Sequence, residues 1–216
     1  MNPCEFCNEF SGGHQNGYSR RYGQSRRTVL DSDAFQVVPT LGQISEGHVL
    51  IVPTKHYCSL ADHPSASDEL DFLFRRVRKA IRKLYGVCIF FEHGIRGSGS
   101  GGCGIDHAHM HAVPVAGDGV LAVLARDFGG WQIQRLADIN EKVDPSSSYL
   151  FYEASSAKRY VFPVQDLPSQ YMRKLVAESI GKRDWDWRKA GYEPALISTI
   201  QRLTPLLSTA DIATGV

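Results

Sequence analysis

The chain is predicted to be an α+β protein, and three observations carry that prediction. Short apolar runs of strand character occupy residues 28–52, a single long amphipathic helix follows over 67–86, and strand-like text resumes at 87–91 and 107–113. At 216 residues the chain can hold one large domain, or a compact domain with an appended region. With 43% hydrophobic and 22% charged residues it has the material for a sizeable core. A net charge of +1 gives no electrostatic footprint for polymeric nucleic acid or acidic membranes, although a single nucleotide stays within reach. No run approaches the roughly 18–20 apolar residues of a membrane span, and Met-Asn-Pro-Cys at the start lacks a signal-peptide pattern, so a cytoplasmic location is expected.

The elements follow in order. Cys4 and Cys7 form a Cys-x-x-Cys at the head of the chain, one pair of an odd total of five cysteines, which speaks against a disulfide framework. Such a pair serves redox chemistry or zinc; zinc needs two further ligands, and the histidines downstream can supply them. The polar stretch Ser11–Arg27 reads as an irregular arm whose arginines (Arg20, Arg21, Arg26, Arg27) either reach a phosphate or form a solvated loop. Thr28–Leu30 and Phe35–Val38 flank an Asp-Ser-Asp turn, a hairpin pattern, and Gly47–Val52 is a further strand stopped by Pro53.

From Ser67, a good N-cap, Leu70, Leu73, Phe74, Val77, Ile81 and Leu84 recur at three and four, with Gly86 as the stop. The basic side of this helix reads as a solvated face. Val87–Phe91 is a buried strand, and Gly94–Gly104 is a glycine-rich loop leading into His107-Ala-His109-Met-His111. Beyond Pro114 the pattern gives short helices over Val120–Phe128 and Leu136–Val143, and a strand pair Tyr149–Glu153 and Tyr160–Val164. A helix follows within Pro168–Ile180, and a last one, Glu193–Leu207, is interrupted by Pro205. Trp185 and Trp187 stand between; such rings either stack on a ligand or anchor the second half onto the core.

The triad segment carries the chemistry. In a strand, side chains repeat every second residue, so His107, His109 and His111 would share one face about 6.5 Å apart, suited to a common phosphate or metal site. On a helix they would fan out and could not converge. Packing alone does not explain three rings whose nitrogens all need partners.

His-x-His-x-His followed by two apolar residues resembles the signature of the histidine triad superfamily. Gly47-His48-Val49-Leu50-Ile51-Val52-Pro53-Thr54-Lys55-His56 is similar to its strand-and-turn block, Glu92-His93-Gly94 with Gly101-Gly102 to its glycine-rich loop, and Cys4-x-x-Cys7 to the cysteine pair of its zinc-containing members. The resemblance covers residues 1–115, expected as a HIT-like catalytic domain, and leaves 116–216 as a C-terminal extension packed on it. It implies a bent antiparallel sheet of about five strands with a long helix packed on it, and often a homodimer.

The resemblance also implies roles. His109 would attack the α-phosphorus of a nucleotide, giving a covalent nucleotidyl-histidine that water or another acceptor resolves. His111 would hydrogen-bond the phosphate or the leaving group, and its being histidine favours the hydrolase branch over transferases and phosphorylases. Gly101, Gly102, Cys103 and Gly104 would contact the phosphate, with Cys103 standing where many members carry an amide. Cys4, Cys7, His56 and His107 would form a closed Cys₂His₂ zinc site of structural kind.

Overall fold

The computed structural model describes residues 4–11, 18–19, 26–64, 68–96, 105–189 and 193–208. Gly101, Gly102, Cys103, Gly104, Ser67, Arg20 and Arg21 lie outside them.

The strands are β1 (Leu30–Asp31), β2 (Phe35–Pro39), β3 (Val49–Pro53), β4 (Ile89–Gly94), β5 (Met110–Val113), β6 (Trp131–Ile133), β7 (Ser148–Glu153) and β8 (Arg159–Val164). The helices are α1 (Glu5–Phe10), α2 (Asp68–Tyr85), α3 (Val120–Phe128), α4 (Ile139–Lys142), α5 (Tyr171–Ser179) and α6 (Glu193–Ser208). The class is α+β, as expected. All eight strands join one antiparallel sheet in the order β1-β2-β3-β5-β4-β7-β8-β6.

The strand count departs from the expected five. Residues 1–115 do supply five strands, but β7 then pairs with β4 along Phe90↔Glu153 to Gly94↔Tyr149, and β8 and β6 continue outward. An open β4 edge would leave a row of main-chain donors and acceptors unpaired, and the second half satisfies them. The sheet therefore runs across the division at residue 115. A charged network also crosses it: Glu153, fully buried on β7, takes Arg159 at 2.8 Å and Arg78 of α2, while Arg159 reaches Asp71 at 2.7 Å. Arg78 is thus a bridging residue, unlike the solvated face expected of its helix.

Alternation divides the sheet into two buried faces. Phe35, Val37, Val49, Ile51, Phe90, Met110 and Phe151 meet the apolar stripe of α2 (Leu70, Leu73, Phe74, Val77, Ile81) together with Leu203 and Leu207 of α6. Each of those stripe residues contributes about 1.5–3 kcal/mol on burial, so packing rather than helix propensity holds α2. Gly86 ends it at φ +83, a left-handed position, with its N–H on Arg82 O at 2.9 Å. Pro205 lies inside α6, which continues to Ser208. The opposite face carries α3 and α5 over Ile89, Phe91, Val113, Leu150 and Phe162, and α1 over Val38, Leu50 and Val52. His111 lies on this second face, between α1 and α5.

Candidate functional site

The triad segment departs from a continuous strand. β5 starts at Met110, pairing through His111 with Leu50 of β3 and with Phe91 of β4, while His107 and His109 precede it. The partner strand β3 ends at Pro53, and Ala108 N instead donates to Tyr57 O at 2.6 Å. Freed from the ladder, His107 turns toward the cysteines, while the rings of His109 and His111 stay 5.0 Å apart. The single phosphate-facing row is thus split by the ending of a strand.

Cys4, Cys7, His56 and His107 converge, with one ligand atom from each inside 4.8 Å of the others. Tetrahedral zinc, at about 2.3 Å from sulfur and about 2.0–2.1 Å from nitrogen, sets sulfur–nitrogen separations of about 3.6 Å. The observed values are 3.3 Å for Cys4 Sγ to His107 Nδ1, 3.6 Å for Cys7 Sγ to His107 Nδ1 and 3.5 Å for Cys7 Sγ to His56 Nδ1. His107 meets the cysteines through Nδ1 and donates from Nε2 to Pro53 O at 2.9 Å, the outer hydrogen bond that fixes a ligand ring's tautomer and orientation. The donor set fits the metal.

This cluster anchors α1, whose first turn begins between the two cysteines. Phe6 of α1 is then laid edge-on to His107 (centroids 5.5 Å apart) and beside His109 (5.7 Å). Arg27 ties the same helix to β2: Nε and Nη2 donate to Glu9 at 2.9 and 3.0 Å, and Nη1 to Pro39 O. So Arg27 is buried and paired, and Arg26 is engaged with Asp31 on the surface at 3.2 Å.

Beside the cluster lies a cleft lined among others by Phe6, Leu50, His109, His111, Arg173 and Trp187. His109 donates from Nδ1 to its neighbour's carbonyl, His107 O, at 2.6 Å, which leaves Nε2 with its lone pair. The second ring is set by a longer chain of contacts. Ile44 N–H donates to His48 Nδ1 at 3.3 Å, so His48 carries its proton on Nε2 and donates it to His111 Nδ1 at 2.9 Å. His111 must then be protonated on Nε2. That atom is buried and has no hydrogen-bond partner among the described residues. Phe91 stacks on the same ring at 4.3 Å, nearly parallel.

Burial keeps these rings neutral. It brings His109 down to about 4, and lowers His48 and His111 well below the usual histidine range, with the Arg173 cation pushing each the same way. His93, on β4, is likewise brought to about 4 by burial. The cleft therefore offers one unprotonated nitrogen, one N–H donor and one fixed cation.

Two of these features escaped sequence reasoning. His48 reads there as a structural donor, and its recipient is His111. Arg173 has no part in the sequence reading, and it is 1% exposed. Its spacing three and four before the buried Val176 and Ala177 was the available signal. The two tryptophans divide the expectations between them: Trp185 packs into the apolar cluster under α3 and α5, and Trp187 lines the cleft. His56 is exposed, His63 is buried between Phe35 and Tyr57, and Asp106 is exposed. Among the described residues no helix is long and apolar enough to cross a membrane.

No protein-family model matches the chain. No curated protein matches it either. Among solved structures it is similar to a HIT family member from Bacillus subtilis, at 20% identity over 55% of this chain and 77% of that one, with a TM-score of 0.38. A zinc-bound histidine triad family protein from Mycobacterium smegmatis aligns at 20% identity over 54% and 78%, TM-score 0.36. A hypothetical histidine triad nucleotide-binding protein from Sulfolobus tokodaii aligns at 11% identity over 95% and 92%, TM-score 0.31. The Cys4/Cys7 pair, the Gly47–His56 block and His107-Ala-His109-Met-His111 follow in order along the chain and meet in the metal cluster and the cleft beside it; in that motif set the chain resembles the histidine triad superfamily.

Proposed function

We propose that the protein is a nucleotide hydrolase that works at the α-phosphate through a covalent nucleotidyl-histidine. The reading rests on the paired tautomers, with the lone pair of His109 Nε2 and the N–H of His111 Nε2 in one cleft. In the first step His109 Nε2 attacks the α-phosphorus, forming a P–N bond as the bond to the leaving group breaks and that group departs with the electron pair. His111 donates a hydrogen bond to the oxygen on which charge develops. In the second step water attacks phosphorus, the P–N bond breaks, its electron pair returns to His109 and the water proton passes to solvent. The products are a nucleoside monophosphate and the leaving group. A neutral imidazole is both a competent nucleophile and a competent leaving group, which the two steps require in turn.

Zinc held by Cys4, Cys7, His56 and His107 would have all four positions filled by protein and would act as a structural tie. Its part is to hold α1, and through α1 the Phe6 wall, against the site. Thiol ligands of this kind suit a reducing compartment, in keeping with the cytoplasm.

The test is a panel of adenylyl, guanylyl, uridylyl and cytidylyl substrates, with and without inorganic phosphate, with the protein quenched in alkaline denaturant, where phosphoramidates persist, and weighed by mass spectrometry. A nucleotidyl adduct on His109 is expected. Turnover without any adduct, or none on any substrate, would overturn the reading. Faster turnover in added phosphate would assign the chain to the phosphorylases instead.

A further inference from the structure

We propose that Trp187, supplied by the C-terminal half, is the stacking face for the substrate's nucleobase, and that the cleft selects bases by ring area rather than by their hydrogen-bonding edges. The inference rests on the nucleotide reading above and deepens it by naming the substrate class.

A phosphate placed between His109 and His111 carries its base one ribose away, so the base lies along the lining beside those two rings. Apart from the histidines, that lining holds two aromatic side chains, Phe6 and Trp187. Phe6 is already engaged: its ring meets Phe10 at 5.9 Å and the imidazoles of His107 and His109 at 5.5 and 5.7 Å. Trp187 is half-buried, and among the described residues no other aromatic ring packs on it. Leu41, Leu50 and Ile105 add apolar surface to the same lining.

The indole is ordered before any ligand arrives. Gln170, at left-handed φ +64, accepts from Trp187 N at 3.2 Å and donates to Asp186 at 2.9 Å, and Asp186 accepts in turn from Arg188 N at 3.1 Å. The guanidinium of Arg188, outside the cleft lining, lies 5.2 Å from the ring centroid, a cation–π contact that restrains the ring. A ring held in this way loses little entropy on stacking, so more of the contact appears as affinity.

The polar side chains of the lining are engaged elsewhere. Arg27 closes on Glu9 and Pro39 O, Thr40 gives its hydroxyl proton to Leu41 O at 3.1 Å, and Arg173 is held by Trp185 O and Gly42 O. His109 and His111 serve the phosphate in the proposed reaction. A site without fixed side-chain partners for a base edge separates bases weakly, whereas stacking needs only a π-face and tolerates any base. Purines, with the larger ring area, are therefore taken ahead of pyrimidines, and adenine and guanine nearly alike.

Binding is measured by calorimetry on the full chain with AMP, GMP, UMP and CMP, and with ribose 5-phosphate, which keeps the sugar and phosphate and lacks the base. Trp187→Ala and Trp187→Phe are compared with the parent once their circular dichroism matches it. Trp187→Ala is expected to weaken AMP and GMP roughly 5- to 150-fold and the pyrimidines less, while Trp187→Phe keeps most of the affinity. Ribose 5-phosphate should bind the parent and Trp187→Ala alike. Tryptophan emission should fall when GMP binds the parent and stay unchanged when it binds Trp187→Phe. An AMP affinity within twofold of the parent in Trp187→Ala, or a loss as large for ribose 5-phosphate as for AMP, would overturn the proposal and leave Trp187 a structural anchor. A parent that separates AMP from GMP by more than about tenfold would overturn it as well, because a base edge would then be read. In each of these cases the His109 adduct, measured separately, would still stand. A parent that binds none of the four monophosphates would bring both readings down together.

Discussion

Nε2 of His48 lies 2.9 Å from Nδ1 of His111, and this contact decides which nitrogen of His111 carries a proton. The loop that supplies Ile44 N–H to His48 is itself held from the second half of the chain. Lys182 Nζ donates to Gln43 O and Ile44 O at 3.1 and 2.8 Å, and Gly47 N donates to Thr199 of α6 at 2.8 Å. The tautomer of a triad histidine is therefore set by residues far away in sequence. His48→Ala is expected to lower kcat roughly 10- to 100-fold with little change in nucleotide affinity, since His111 loses its fixed tautomer. An unchanged kcat would show that the contact has no bearing on turnover.

His109→Asn should retain nucleotide binding and lose both turnover and the adduct, by on the order of a thousandfold or more, because the proposed mechanism makes His109 Nε2 the attacking nitrogen. Rate assays with adduct mass spectrometry decide it; parental activity would end the covalent mechanism.

Metal analysis of protein prepared without chelator should find zinc near one per chain. Cys4→Ser combined with Cys7→Ser should remove the metal and lower Tm by roughly 5–10 °C, as for a loss of 2–3 kcal/mol in a chain of this size. Activity should fall as well, because Phe6 reaches His109 through α1. Full activity and an unchanged Tm would dismiss the site.

The buried neutral histidines give the stability a direction with pH. The folded values of His48 and His111 lie well below the usual 6.5, and that of His93 at about 4, each held down first by burial. Below pH 6.5 the unfolded chain takes up protons that the folded chain refuses, so stability is fullest above that pH and declines from about 6.5 toward about 4. Denaturant melts at pH 7.5 and pH 5 should show it, and His93→Gln should shrink the difference. A flat profile would contradict the burial assignment.

A strand-to-strand dimer needs a long free sheet edge. Here β7 covers β4, and the edges left are β1 with 2 residues and β6 with 3. Among the described residues these edges are too short for a sheet-to-sheet dimer, so any dimer that light scattering finds above the 24.0 kDa of one chain should survive proline substitutions in β1 and β6, and its loss on such substitutions would overturn this.

The elements were legible in sequence wherever a local period existed. The stripe of α2, the hairpin around Asp31–Asp33 and the β7–β8 pair all stand where the apolar spacing puts them, because each is stabilised by burying the residues that define its period. The metal cluster was legible through the family resemblance, which implies Cys4, Cys7, His56 and His107 as its members, and the structure brings those four together. The three-histidine strand was not: alternation cannot register that β3 stops at Pro53, since a ladder ends where its partner ends. Arg173 was only half legible: its spacing sets it on the buried side of α5, but the carbonyls of Gly42 and Trp185 that hold it there come from other segments.

The sequence by itself determined the α+β class, the order of its elements and the residues able to do chemistry, since those depend on near neighbours and on residue type. Only the tertiary structure decided where each histidine sits and which ring nitrogen it presents, and that the second half of the chain extends the sheet and lines the cleft. His107 meets Cys4 across 103 residues and Arg173 meets Gly42 across 131. Contacts of that range are set by strand pairing and packing of the whole chain, and they leave no local period to read.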